Sequence, residues 1–340
     1  MRKLKFIFIV LLLVLGCAAA GFAAKLRQLA MVDLPGEPGF NQVAIANGQV
    51  VISRPGNNTI EIFSPVKRRV IARISQINDP RGIAVDDAAN RVYVALAGSN
   101  RVAVIDSHTW QVEKLVPVTH RPEKLLWVPE TKILYATSLL DRTLSVVDPA
   151  RGAETSVIEL NALPQDLLYD PASQMLLVSL QDRGEVAAID RSHQIAERFK
   201  ITASEPTGLA LDRAHRRLYV AVRYAVVALN ADSGAELFRI AAPGGTSTLV
   251  LDPGGSLLYA SAGDGSVLAI DLNHNMIDHE LPTSVKGYGL AYDPARKMLF
   301  LPGGREGRSK MVILSPVAVT EPNAPVSAEK SNPSDQTAKK

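Results

Sequence analysis

Apolar and polar residues alternate in short runs along most of the chain. In the sixteen residues NRVYVALAGSNRVAVI, from Asn90 to Ile105, Tyr93 and Val94 lie in an outgoing run with the strand period. Ala97-Gly98-Ser99-Asn100 then turns the chain, and Arg101-Val102-Ala103-Val104-Ile105 returns to Asp106. Two alternating runs joined by small residues predict an antiparallel hairpin.

The same hairpin recurs. Its returning strand ends at Phe63, Ile105, Val147, Ile189, Leu229, Ile270 and Leu314, in steps of 42, 42, 42, 40, 41 and 44 residues. A landmark in the outgoing strand (Val51, Tyr93, Tyr135, Leu177, Tyr219, Tyr259, Phe300) steps by 42, 42, 42, 42, 40 and 41. A further strand precedes each hairpin and usually ends in Asp, as at Asp86, Asp170, Asp212, Asp252 and Asp293, with Val128 in that place in the third repeat. A fourth strand follows each hairpin, for example 111–116. Four antiparallel strands repeated seven times predict an all-β, seven-bladed β-propeller of four-stranded blades. The tryptophan–aspartate marks of WD40 repeats are absent, and the kelch period is too long.

The seventh repeat supplies only three strands. An orphan strand at 27–34 is expected to complete that last blade and clasp the ends of the ring, hiding an otherwise open edge.

Tyr93-Val94-Ala95, followed by Gly98-Ser99-Asn100-Arg101-Val102-Ala103-Val104-Ile105-Asp106, resembles the repeat of the YVTN-type, YncE-like propellers. The resemblance covers about residues 26–316 and departs most where Ser64 and Ser315 replace the Asp. It implies the propeller fold and an exported, cell-envelope binding protein, one member of the group binding single-stranded DNA. It implies no assigned activity.

The two ends differ from the repeats. Arg2, Lys3 and Lys5 precede the apolar run 6–15, which reads as a secretory signal over residues 1–24. Val14-Leu15-Gly16-Cys17 resembles a lipobox, making Cys17 the candidate for lipidation; the other outcome is cleavage near Ala20 or Ala23. The propeller is expected over 25–316 and a disordered tail over 317–340, rich in Pro, Ser, Asn and Lys. The expected location is the periplasm, an outer-membrane lipid anchor or the cell exterior, with Cys17 as the sole membrane attachment. The protein is expected to be monomeric.

Charge changes this picture little. Of 37 basic residues, Arg2, Lys3 and Lys5 leave with the signal, so the remainder balances the 34 acids. Balance gives no bulk footprint for nucleic acid and leaves only a local patch as an alternative.

Candidate chemistry concentrates on one face. Blade-to-blade loops and hairpin turns open together around the channel mouth and carry Arg54, Arg81, Arg101, His120, Arg121, Lys124, Arg142, Arg183, Arg223 and Arg305. Arginine suits carboxylate and phosphate recognition, so the mouth is expected to bind an envelope protein, peptide, glycan or anionic ligand. Asp141 and Asp182 are placed to offset part of that charge. His108, His193, His215 and His274 fall on the opposite face and His279 in an outer strand, so no metal site is expected. The Asp106, Asp148, Asp190 and Asp271 series is expected to brace local turns. Gly303-Gly304-Arg305-Glu306-Gly307 reads as a long flexible turn. With no Cys-x-x-Cys-His and no Gly-x-Ser-x-Gly, no cofactor or serine nucleophile is expected.

The leading expectation is a non-catalytic binding or scaffold propeller. One alternative is a lactonase-type hydrolase using His120, Glu123, Arg121 and Arg81. The other is a tetrapyrrole-binding or maturation propeller with His120 as the axial ligand.

Overall fold

The computed structural model describes residues 24–318 apart from 203, 204 and 288. The expected signal with Cys17, the tail beyond 318 and Tyr288 therefore lie outside the described residues. Seven four-stranded antiparallel sheets follow one another along the chain. Blades I to VI span residues 43–74, 80–117, 125–159, 164–200, 209–241 and 248–282. Blade VII combines Ala291–Asp293, Met298–Arg305 and Arg308–Ala318 with the N-terminal strand Ala24–Asp33. The protein is a seven-bladed β-propeller.

Burial explains the pattern. The second and third strands are covered on both faces by neighbouring blades, so they read as nearly continuous apolar runs; Thr59–Ser64 and Ser266–Asp271 are buried throughout. The outer strands meet water on one side, and Arg69–Ile74 alternates exposed with half-buried. Each apolar cluster draws on two adjacent blades. Val128, Leu144 and Val146 of blade III, for instance, pack against Leu167, Leu176 and Ile189 of blade IV. A buried Leu, Ile or Val side chain stabilises by about 1.5–3 kcal/mol, so a blade without neighbours loses the terms that hold it flat.

The ring closes as the sequence predicts, and two further devices secure it. Ala24–Asp33 pairs antiparallel with Arg308–Ala318, with a bulge between Gln28 and Ala30. His279 Nδ1 of blade VI accepts the Leu26 N–H at 3.0 Å, and Lys310 reaches the Asp33 carboxylate at 2.5 Å. The second device corrects an expectation. Arg54 is fully buried rather than displayed at the mouth. It donates to Glu61 Oε2 and Ser309 Oγ, both at 2.8 Å, and to the carbonyls of Pro35 and Glu37, with the Phe40 ring 4.7 Å away. Arg54 therefore pins the incoming segment to blades I and VII and has no face left for a ligand.

The glycine-rich stretch of blade VII also differs from expectation. Strand pairing continues to Arg305 and resumes at Arg308. Only Glu306 and Gly307 turn, with φ of +50° and +72°, the left-handed pair of a tight two-residue hairpin loop.

Candidate functional site at the channel mouth

Each blade places one residue at the mouth end of its first strand or just before it, around the axis. In order these are Gln42, Gly82, Lys124, Asp166, Gly208, Thr248 and Gly289, and their spacing follows the repeat. Within this ring lies a cavity of about 430 Å³, lined by Asn41, Gln42, Lys124, Asp166, Thr207 and Ser247 among others.

Two members of the ring clip neighbouring blades. Gln42 accepts the Ile83 N–H at 3.1 Å and donates to the Ile83 carbonyl at 3.3 Å. One carboxylate oxygen of Asp166 accepts the Leu209 N–H at 2.9 Å, the same bond three blades on. The glycines serve where backbones approach closely. A Cβ on Gly208 would stand 1.9 Å from the Ser247 carbonyl oxygen, and one on Gly82 would stand 2.4 Å from that of Glu123.

Burial pushes the Asp166 carboxyl above the usual carboxylate range, outweighing the attraction of Lys124 and the Leu209 N–H. A site at this end of the channel thus holds one ammonium beside a carboxyl that resists ionisation. The Lys124 ammonium has no hydrogen-bonded or ion-paired partner among the described residues.

The rim is more neutral than its arginines suggest. Arg81 donates to Asp79 at 2.7 Å and reaches Glu123 at 3.3 Å, while Arg121 reaches Asp79 at 2.5 Å and Glu123 at 3.8 Å. Two guanidiniums and two carboxylates thus form one closed network across blades II and III. Burial raises Asp79, but hydrogen bonds from Arg81 and Arg121 overcome it and hold its carboxyl low. Glu123 goes the other way, because burial outweighs the same two cations.

The remaining rim residues are spread around the ring. Arg142 pairs with Asp182 at 3.3 Å, and Arg183 donates to the Asn161 carbonyl at 3.1 Å. Arg223 approaches Glu205 at 3.6 Å and lies 5.7 Å from the Tyr224 ring. Arg305 lies 3.5 Å from Glu306. His120 Nδ1 is 3.5 Å from Asp141 Oδ2, facing blade III's own hairpin rather than Glu123. Arg101 is exposed, and its guanidinium has no bonded partner among the described residues. The structure thus brings Arg81 and Arg121 together, keeps Arg54 inside, and leaves Lys124 and Arg101 as unengaged cations.

Gln42, Gln165, Ser247 and Thr248 are lining residues that charge-based reading passes over. A signal for them exists, since each stands at or beside the ring position one repeat from the next.

On the opposite face His215, His274 and the Asp106, Asp148, Asp190 and Asp271 series act within their own turns. Asp271 accepts from His274 Nδ1 at 2.7 Å and Asp212 from His215 Nδ1 at 2.7 Å. Asp106 accepts the N–H groups of His108 and Thr109 at 2.8 and 2.7 Å, which hold its carboxyl below the usual range. Asp148 and Asp190 brace their turns through the same kind of bond.

No protein-family model matches the chain. A curated relative, the seven-bladed beta-propeller protein Rv1057 of Mycobacterium tuberculosis, is 29% identical over a stretch covering 40% of this chain and 36% of that protein. The chain therefore matches about a third of the length of that relative. Among solved structures, the hydrazine synthase of Kuenenia stuttgartiensis superposes with a TM-score of 0.72, covering 84% of this chain and 97% of that chain at 16% identity. That likeness is one of fold. Both similarities agree with the geometry in making this chain a seven-bladed propeller.

Proposed function

We propose that the protein is a non-catalytic, YVTN-type propeller of the cell envelope that receives a peptide, glycan or anionic partner at the channel mouth. The observation that carries the reading is the axial cavity. It is lined by polar and aliphatic side chains together, and it presents the Lys124 ammonium without a bonded counter-ion inside a rim whose other charges are mostly matched. Matched pairs favour recognition of shape and polar groups over bulk attraction of nucleic acid. The basic n-region and Val14-Leu15-Gly16-Cys17 support export, with Cys17 as the lipid-bearing residue.

The lactonase reading draws less support. Arg81, Arg121 and Glu123 do converge, but their charges are consumed by one another and by Asp79, while His120 faces Asp141. The same turn of His120 weakens its claim as an axial ligand.

The test compares the full-length protein with a Lys124→Gln, Arg101→Glu, Arg183→Glu variant. These side chains contribute little to folding, each within about 0.5 kcal/mol, so melting should be unchanged. Capture of envelope partners should be lost. Undiminished capture would move the binding surface off the mouth. Turnover of a sugar lactone that His120→Ala abolishes would replace the reading with the hydrolase.

A further inference from the structure

The turns between third and fourth strands, on the face away from the mouth, all contain one left-handed residue. In blades I to VI these are Arg68, Trp110, Gly152, His193, Gly234 and Asn275, with φ between +50° and +71°. Each stands one or two residues before the first paired residue of the outer strand. Glycine fits this conformation without cost, and Asn tolerates it. Arg68 adopts it in an exposed turn and His enters it more readily than most side chains, so the conformation is a shared turn geometry, and Trp110 and His193 are set apart by what their rings touch.

Trp110 covers apolar surface. Its indole packs on the apolar cluster shared by blades I and II. His193 takes the same place over the junction of blades III and IV, where it meets Tyr135 edge-on. The ring centroids are 6.0 Å apart at 88°, and Tyr135 Oη lies 3.4 Å from His193 Nε2. An imidazole does not fill the volume that an indole fills. Beside it lies a cavity of about 410 Å³, walled by Ile133, Leu176 and Ile189, edged by Tyr135, Tyr169 and His193, and lined as well by Glu130, Gln174, Asp190 and Arg191.

Neighbouring junctions show what such a space normally holds. The ring of one blade's second strand packs, tilted, on the ring of the next blade's first strand, as Tyr93 does on Trp127 at 5.2 Å and Tyr259 on Tyr292 at 5.1 Å. At the III/IV junction the corresponding residues are Tyr135 and Tyr169, and Tyr135 makes its ring contact with His193.

We propose that this cleft is a second binding site, independent of the mouth, for a planar neutral aromatic ring bearing one N–H or O–H, of the indole or phenol class. The ring would lie on the three aliphatic side chains with the tyrosines and imidazole around its edge. The Tyr135 hydroxyl, engaged with one imidazole nitrogen, keeps a lone pair for the ligand's hydrogen. The volume falls in the range of small-molecule sites. Asp190 is occupied by the Ser192 and Gln194 N–H groups, and Glu130 and Arg191 bring one charge of each sign, so the lining calls for no net charge on the ligand.

The test titrates the full-length protein with indole, 4-methylphenol, cyclohexanol and the tripeptide Ala-Trp-Ala. Ligand-induced melting shifts and saturation-transfer NMR are the readouts. Indole and 4-methylphenol should bind saturably, and cyclohexanol, similar in bulk but not planar, should not. His193→Trp copies the Trp110 arrangement, so it should raise the melting temperature and weaken indole at least tenfold. His193→Gly removes the backbone strain and the ring together; it should fold at least as well as the parent and also bind weakly. Binding by the tripeptide would identify a side chain of a partner as the source of the ring, and binding by indole alone would identify a free small molecule. Equal indole affinity in the parent and both variants would overturn the proposal, as would the absence of saturable binding of either ring to the folded parent.

Discussion

Asp170 shows how a single carboxylate couples two blades. Its burial alone would raise its pKa. Hydrogen bonds from Arg216 at 2.9 and 2.7 Å, from the Ser173 hydroxyl at 2.6 Å and from the Ala172 N–H outweigh that, and hold it at about 2. Because the folded value lies below the ordinary 3.8, its stabilisation is complete above about pH 4 and is lost as pH falls toward 2. Asp170→Asn should therefore cost about 2 kcal/mol at neutral pH. In urea titrations from pH 7 to pH 2, the gap between parent and variant should close at the acid end. A gap that stays constant with pH would mean the carboxylate's charge contributes nothing. The sequence shows Asp170 as a turn residue but gives no sign that Arg216, one repeat and a few residues later, reaches back to it. Arg54 was illegible for a similar reason. Its place in a hairpin turn marks it as a mouth cation, whereas the pinning segment 35–37 belongs to no repeat. The Arg81–Glu123 and Asp79–Arg121 pairs, by contrast, are each 42 residues apart. In a ring of that period such a spacing means adjacency, so the neutralised rim could have been read from the sequence.

At the level of elements, strand number, order and closure were legible because burial between blades forces an apolar run that water-facing strands lack. Loop shape was not. The stretch Gly303 to Gly307 looks flexible from composition, yet its strands stay paired and only Glu306 and Gly307 turn. Gly307 offers a clean measurement of backbone strain, since no atom lies within 4 Å of where its Cβ would stand while its φ is +72°. Gly307→Ala should destabilise by about 1 kcal/mol without altering any contact. Equilibrium denaturation reads that loss, and an unchanged midpoint would show that the loop relaxes out of its left-handed pair.

For the whole molecule the question is what the shared blade contributes. Ala24 and Ala318 are register partners, so the ends of the described ring lie side by side and a short turn can join them. New ends can then be opened at two places. A cut between Gly244 and Gly245, in an exposed loop between blades V and VI, leaves every blade whole and every native strand pair intact. The ring would then be held at that junction by side-chain packing alone. A cut between Gly263 and Asp264, in the hairpin turn of blade VI, instead builds that blade from two strands at each end and recreates a clasp. Both permutants keep the same core, and loop closure changes slowly with length, so connectivity at the junction is the main difference between them. The clasped permutant should melt close to the linear 24–318 chain as a single transition, and the packed-only permutant should melt earlier and aggregate through its opened blade faces. If the two melt together, strand sharing is dispensable, and the seven interblade cores are enough to close the ring.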